Sequence, residues 1–219
     1  MTCLRIWIEA DRPADPTTAW QSIAVERLTA AAIAHHLDPQ VVIVGASEPL
    51  PGDEAAIDCP LTLDVLTDAR LPVAWAGRSI WKACAAVDIL RSRVAAELDW
   101  PSGLGDLRLP LIVTAKGPLY GEAIGLGAAG ESIQPHHLSD QERQIAYRLG
   151  FELLQWLDLV PGVYLLQWGF DRAGNAHFDR LWPFPAPWAI ASVGVQDPDL
   201  FDCHLRCLLR QPLREVAIL

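Results

Sequence analysis

Residues 138–187 read LSDQERQIAYRLGFELLQWLDLVPGVYLLQWGFDRAGNAHFDRLWPFPAP, and this stretch decides the fold. Ser139, Asp140, Gln141 and Glu142 spell a capping box, in which the serine reaches forward to an orphan amide and the glutamate reaches back. The helix it opens carries Ile145, Leu149, Leu153 and Trp156 at helical spacing and stops before Pro161-Gly162. Val163–Phe170 (VYLLQWGF) reads as a strand, Asp171–Asn175 as a turn, and Ala176–Leu181 (AHFDRL) as its hairpin partner. The proline-rich run Trp182–Trp188 then leads away, because proline neither continues a helix nor donates to a central strand.

Working outward, Leu109–Ala115 reads as a strand, Lys116-Gly117-Pro118 as a turn, and Leu119–Leu126 as the returning strand. Asp197-Pro198 caps a final helix that runs to about Arg210. Upstream, Leu4–Glu9 alternates as a strand, and Thr17 or Thr18 caps a helix with its apolar face on Ile23, Leu28, Ala31, Ala32 and Leu37. Gln40–Val44 (QVVIV) reads as a buried strand, residues 46–60 as a loop, and 61–69 as ambiguous. A long helix is expected over Ser79–Leu98, and the breakers from Asp99 to Gly105 mark a boundary. The expected class is α/β (α+β). Residues 1–100 form an N-terminal strand–helix–strand unit and residues 103–219 a hairpin–helix–hairpin half-unit.

Composition bounds the function. Asp and Glu outnumber Lys and Arg 27 to 17, a net charge of -10, which argues against non-specific binding to nucleic acid or anionic membranes. With 51% hydrophobic residues the chain can bury a sizeable core. The opening residues lack the apolar run of a signal peptide, and no stretch reaches the roughly 20 apolar residues that span a bilayer. Five scattered cysteines fit free thiols in a reducing compartment, so a cytoplasmic location is expected.

Several motifs compete. Gly125, Gly127 and Gly130 spell G-x-G-x-x-G after a strand, but Pro135 forbids the helix whose amides would hold a pyrophosphate. The paired histidines His35-His36 and His136-His137 lack metal-ligand spacing. Cys203 and Cys207 lie four apart, as expected of an apolar stripe. No serine sits in a G-x-S-x-G turn, and no catalytic residue is assigned. Trp182, Phe184 and Trp188 belong to either a packed crossover or an exposed surface for a protein partner.

The order hairpin, capped helix, hairpin, proline-rich turn and last helix resembles the C-terminal half of an ATP-grasp domain, as in the glutamate-adding ligases, over residues 103–190. The resemblance implies an ATP site with Mg²⁺ held by oxygen ligands from two strands, the second ending E-x-N. Aligned on Gly174, Gln167 falls at the first metal position and Asp179 at the glutamate of E-x-N. Leu181 stands where the asparagine should be and coordinates nothing. The expectation is therefore an ATP-grasp-derived protein without ligase activity that keeps a ligand-binding or regulatory role. One alternative is an assembly protein that binds a partner through Trp182–Trp188. Another is a small ATP- and Mg²⁺-dependent carboxylate–amine ligase with a rewired metal site of Gln167, Asp179 and either Glu122 or Asp171.

Overall fold

The computed structural model describes residues 2–9, 19–44, 56–63 and 75–219. In chain order its elements are β1 (Cys3–Glu9), α1 (Ala19–Ala34), β2 (Asp38–Val44), β3 (Ile57–Pro60), α2 (Arg78–Ala85) and α3 (Val87–Leu98). These are followed by β4 (Leu107–Thr114), β5 (Gly117–Tyr120), β6 (Gly125–Leu126), β7 (Ser132–Ile133) and α4 (Asp140–Leu157). The remainder is β8 (Gly162–Phe170), β9 (Ala176–Trp182), β10 (Gln196–Asp197), α5 (Leu200–Leu208) and β11 (Ala217–Ile218). The chain is thus a mixed α/β protein. No described helix is long and apolar enough to cross a membrane. The expected cap at Thr17 or Thr18, and residues 46–55 and 64–69 of the expected loop and ambiguous segment, lie outside the described residues.

Among the described residues, β2, β1 and β3 form a parallel sheet in that order, and β5, β4, β8 and β9 an antiparallel one. One face of the antiparallel sheet carries Leu109, Leu111, Leu166, Trp168, Phe178 and Leu181 against α3 and α4. The other carries Ile112, Val163 and Leu165 against α5, in one core with Leu4, Ile6 and Leu28 of β1 and α1. Both cores draw side chains from either side of residue 103.

Local chemistry explains the elements. Glu142 N–H donates to Ser139 Oγ at 3.3 Å and Ser139 N–H to Glu142 Oε2 at 2.7 Å, so the capping box at the start of α4 is complete. Gly150 lets α4 approach the sheet, since a Cβ there would lie 2.7 Å from Leu111 Cδ2. On the other side, Arg27 of α1 donates through Nε to Asp199 Oδ2 at 2.8 Å. Asp199 Oδ1 in turn accepts from the amides of Phe201 and Asp202 at the start of α5.

Five expectations are corrected, the first being the loop over residues 46–60, whose last residues, Ile57–Pro60, pair with β1 as strand β3. The helix over Ser79–Leu98 breaks at Ala86 because the six-residue step from Cys84 to Leu90 leaves one helical stripe, and the bend returns both side chains to the same core. The strand from Leu119 stops at Tyr120. Pro110 opposite has no N–H to donate, so Gly121 only gives its own N–H to the Pro110 carbonyl, and pairing resumes at Arg108 and Ile124. The last helix is capped by Asp199 rather than Asp197-Pro198, because the Asp199 carboxylate takes two orphan amides. Among the described residues, the strand of Gln40–Val44 is an edge, with Val41 and Ile43 exposed, rather than buried.

Candidate functional site

A β-bulge sets the geometry of the candidate site. Gln167 pairs with Arg180 and Trp168 with Phe178, so Asp179 is the extra residue on β9. The bulge re-aims its side chain into the interior, where Asp179 is only 1% exposed. Its Oδ2 accepts from Gln167 Nε2 at 2.8 Å and from Gly105 N–H at 2.8 Å. Its Oδ1 is ion-paired with Arg91 of α3, whose Nε also donates to the Asp179 carbonyl at 2.9 Å. Gln167 Nε2 donates further to the Gly105 carbonyl at 2.8 Å, and Gln167 Oε1 accepts from Trp182 Nε1 at 3.1 Å.

The two expected metal positions therefore meet, but as partners of each other. All three side-chain oxygens of the pair already accept an N–H: Asp179 Oδ1 from Arg91, Asp179 Oδ2 from both Gln167 and Gly105, and Gln167 Oε1 from Trp182. Mg²⁺ demands converging oxygen donors, and N–H groups repel it. The donor set does not fit this ion. Among the described residues, Glu122 and Asp171 do not join Asp179 in a three-acid cluster. Asp171 Oδ2 accepts from Asn175 Nδ2 at 3.0 Å and its Oδ1 from the amides of Asn175 and Ala173 within its own turn, and these bonds, the side-chain one foremost, hold its carboxyl below the usual range. Among the described residues, no group of three or more His, Cys, Asp or Glu is placed to hold a metal ion.

Cations surround the bulge. Arg108 on β4 is 4% exposed, lies with its guanidinium 3.5 Å from the centre of the Trp188 ring, and donates through Nη1 to the Asp106 carbonyl at 2.6 Å. Burial pushes Arg108 down to about 10, opposed by the charges of Asp106 and Asp179. Arg180 stands over the ring of Trp182, 5.2 Å from its centre. Of the expected partner-binding residues, Phe184 is 2% exposed and stacks on Trp20. Trp182 meets Phe184 edge-on, and both Trp182 and Trp188 are half-buried.

The glycine-rich loop is closed on itself. Gly127 N–H donates to the Glu131 carbonyl and Ala129 N–H to the Glu131 carboxylate, at 2.7 and 2.9 Å. Sequence reasoning missed Arg91, Gly105, Arg108 and Arg180. A signal existed for Arg108, since it is the lone charge in the apolar run LRLPLIVT.

No family model matches the chain, and no curated protein matches it either. Solved structures do. N5-carboxyaminoimidazole synthetase from Staphylococcus aureus aligns with a TM-score of 0.67 at 9% identity, over 99% of this chain and 80% of that one. N5-carboxyaminoimidazole synthase from Aspergillus clavatus, in complex with ADP and 5-aminoimidazole ribonucleotide, aligns at 0.65 and 9% identity, over 97% and 78%. Glycinamide-RNase-transformylase T from Mycobacterium tuberculosis aligns at 0.64 and 18% identity, over 96% and 80%. At such identities the likeness speaks for architecture alone, and the architecture is ATP-grasp-like.

Proposed function

We propose that this chain is an ATP-grasp-derived ligand-binding protein without carboxylate–amine ligase activity. One observation carries the reading: the Asp179 carboxylate, where the resemblance expects a metal ligand, is closed by Arg91, Gln167 and Gly105. Ligase chemistry of this type holds Mg²⁺ against the phosphates and needs oxygen ligands with lone pairs to spare. Here guanidinium and amide N–H groups take those positions, so no acyl-phosphate forms. The fold likeness supports retention of a binding cleft, and a neighbour of similar architecture holds ADP.

The reading is tested by incubating the full chain with ATP and Mg²⁺, assaying ADP, and titrating nucleotide in a thermal-shift experiment. The expected result is no ADP above the buffer control together with a saturable shift from nucleotide. Turnover that Asp179→Ala abolishes would establish the rewired ligase instead. A flat thermal response at millimolar nucleotide would overturn the nucleotide-binding form of the reading.

A further inference from the structure

Strands β4, β8 and β9 set Arg108, Gln167 and Arg180 in one cross-strand row, because Gln167 pairs with Arg108 on one side and Arg180 on the other. Directly opposed residues share a face, and neighbouring strands stand about 4.8 Å apart, so the two arginines begin roughly 10 Å apart with Gln167 between them. The Gln167 amide is fully engaged with Gly105, Asp179 and Trp182. The arginines flank it with donors to spare. Arg108 Nε and Arg180 Nε are both buried without an acceptor among the described residues.

Among the described residues, neither arginine has a carboxylate within hydrogen-bond reach. The acid nearest to Arg180 Nε is Asp179 Oδ1 at 3.6 Å, which Arg91 already holds. Among the described residues, the Arg108 guanidinium hydrogen-bonds only to the Asp106 carbonyl, although the charges of Asp106 and Asp179 reach it. Three guanidiniums, from Arg91, Arg108 and Arg180, thus crowd one buried acid in a chain whose net charge is -10. Buried cations are normally paired, and an orphan donor on a cation is costly. The tryptophan rings lie against the guanidiniums, and the in-plane Nε–H of each arginine, the kind of donor that grips phosphate and carboxylate, meets no acceptor among the described residues. Arg180 is 30% exposed and opens the row to solvent, while Trp182 and Trp188 wall it.

We propose that Arg108 and Arg180, the two arginines that flank Gln167, bind an oxyanion, the phosphate or carboxylate group of a small molecule, directly and without a metal ion. This rests on the ligand-binding reading above and names the chemistry of the ligand. Anion binding here neutralises the excess guanidinium charge and satisfies the two orphan Nε–H groups.

The test is calorimetric titration of inorganic phosphate, and in parallel acetate and citrate, into the full chain in EDTA at ionic strength fixed with chloride. The expected result is saturable binding that falls about tenfold in Arg180→Gln, the loss of one charge-assisted contact. Arg180 is partly exposed and can be changed without opening the core. Arg108→Lys, checked for folding by circular dichroism, retains the charge but loses the planar fork and is expected to weaken binding as well. The phosphate and carboxylate arms tell which headgroup the row takes. Absence of saturable binding by all three anions overturns the proposal, as does an affinity unchanged in Arg180→Gln. Binding that appears only when Mg²⁺ replaces EDTA overturns the metal-free site while leaving the ligand-binding reading standing.

Discussion

Asp179→Ala removes a carboxylate that is 1% exposed and leaves the Arg91 guanidinium, the Gly105 amide and one Gln167 N–H facing a gap. Breaking a buried ion pair from one side costs about 3–5 kcal/mol. Arg91 is 21% exposed, so water reaches its freed guanidinium and the loss falls toward the lower end, about 3 kcal/mol. In a chain of this length each kcal/mol moves Tm by about 2–4 °C, so Asp179→Ala is expected to melt about 6–12 °C below the wild type. Circular-dichroism melts measure the difference. The double variant Arg91→Met/Asp179→Ala is expected to recover part of it, because the uncompensated cation is gone. A single variant melting within about 1 °C of the wild type would show that Asp179 is not held by these three donors, since a carboxylate so held cannot be removed so cheaply.

Ser139→Ala removes the capping-box acceptor and is expected to cost about 1 kcal/mol, read from the urea midpoint. Gly150→Val forces a side chain against the buried Leu111 and is expected to cost about 1–3 kcal/mol in the same assay. His204 gives a pH signature: its Nδ1 accepts the Val163 N–H at 2.9 Å, and burial pushes its pKa down to about 3. The unfolded chain takes up this proton near pH 6.5 while the native chain does not. The contribution is therefore fully present above about pH 6.5 and lost as pH falls toward 3, by about 3 kcal/mol at pH 4. His204→Asn, which keeps an acceptor for Val163, is expected to flatten the stability profile between pH 6.5 and 4.

The parts of the fold legible in the sequence were those fixed by neighbours along the chain. The capping box of α4 needs only Ser139 and Glu142, and the β8–β9 turn only Asp171 to Asn175. What was not legible depends on distant partners or on counting residues across strands. Arg91 reaches Asp179 across 88 positions, and Arg27 reaches Asp199 across 172. Neither separation leaves a mark on local periodicity. The bulge is subtler still. Gln167 and Asp179 were correctly placed on facing strands, but one extra residue on β9 turns Asp179 inward and puts Arg180, not Asp179, opposite Gln167. The proline-rich run carried its signal openly, yet only the packing of Phe184 against Trp20 shows how it seats in the core. Pro110 had the same character: its missing N–H ends β5 early, a consequence visible only once its partner strand is known.

ADP formation from ATP and Mg²⁺ by the wild-type chain and by Asp179→Ala decides whether Asp179 is structural or catalytic. A closed, structural Asp179 predicts that neither protein forms ADP above the buffer control. ADP formation by the wild type that disappears in a folded Asp179→Ala variant would contradict it.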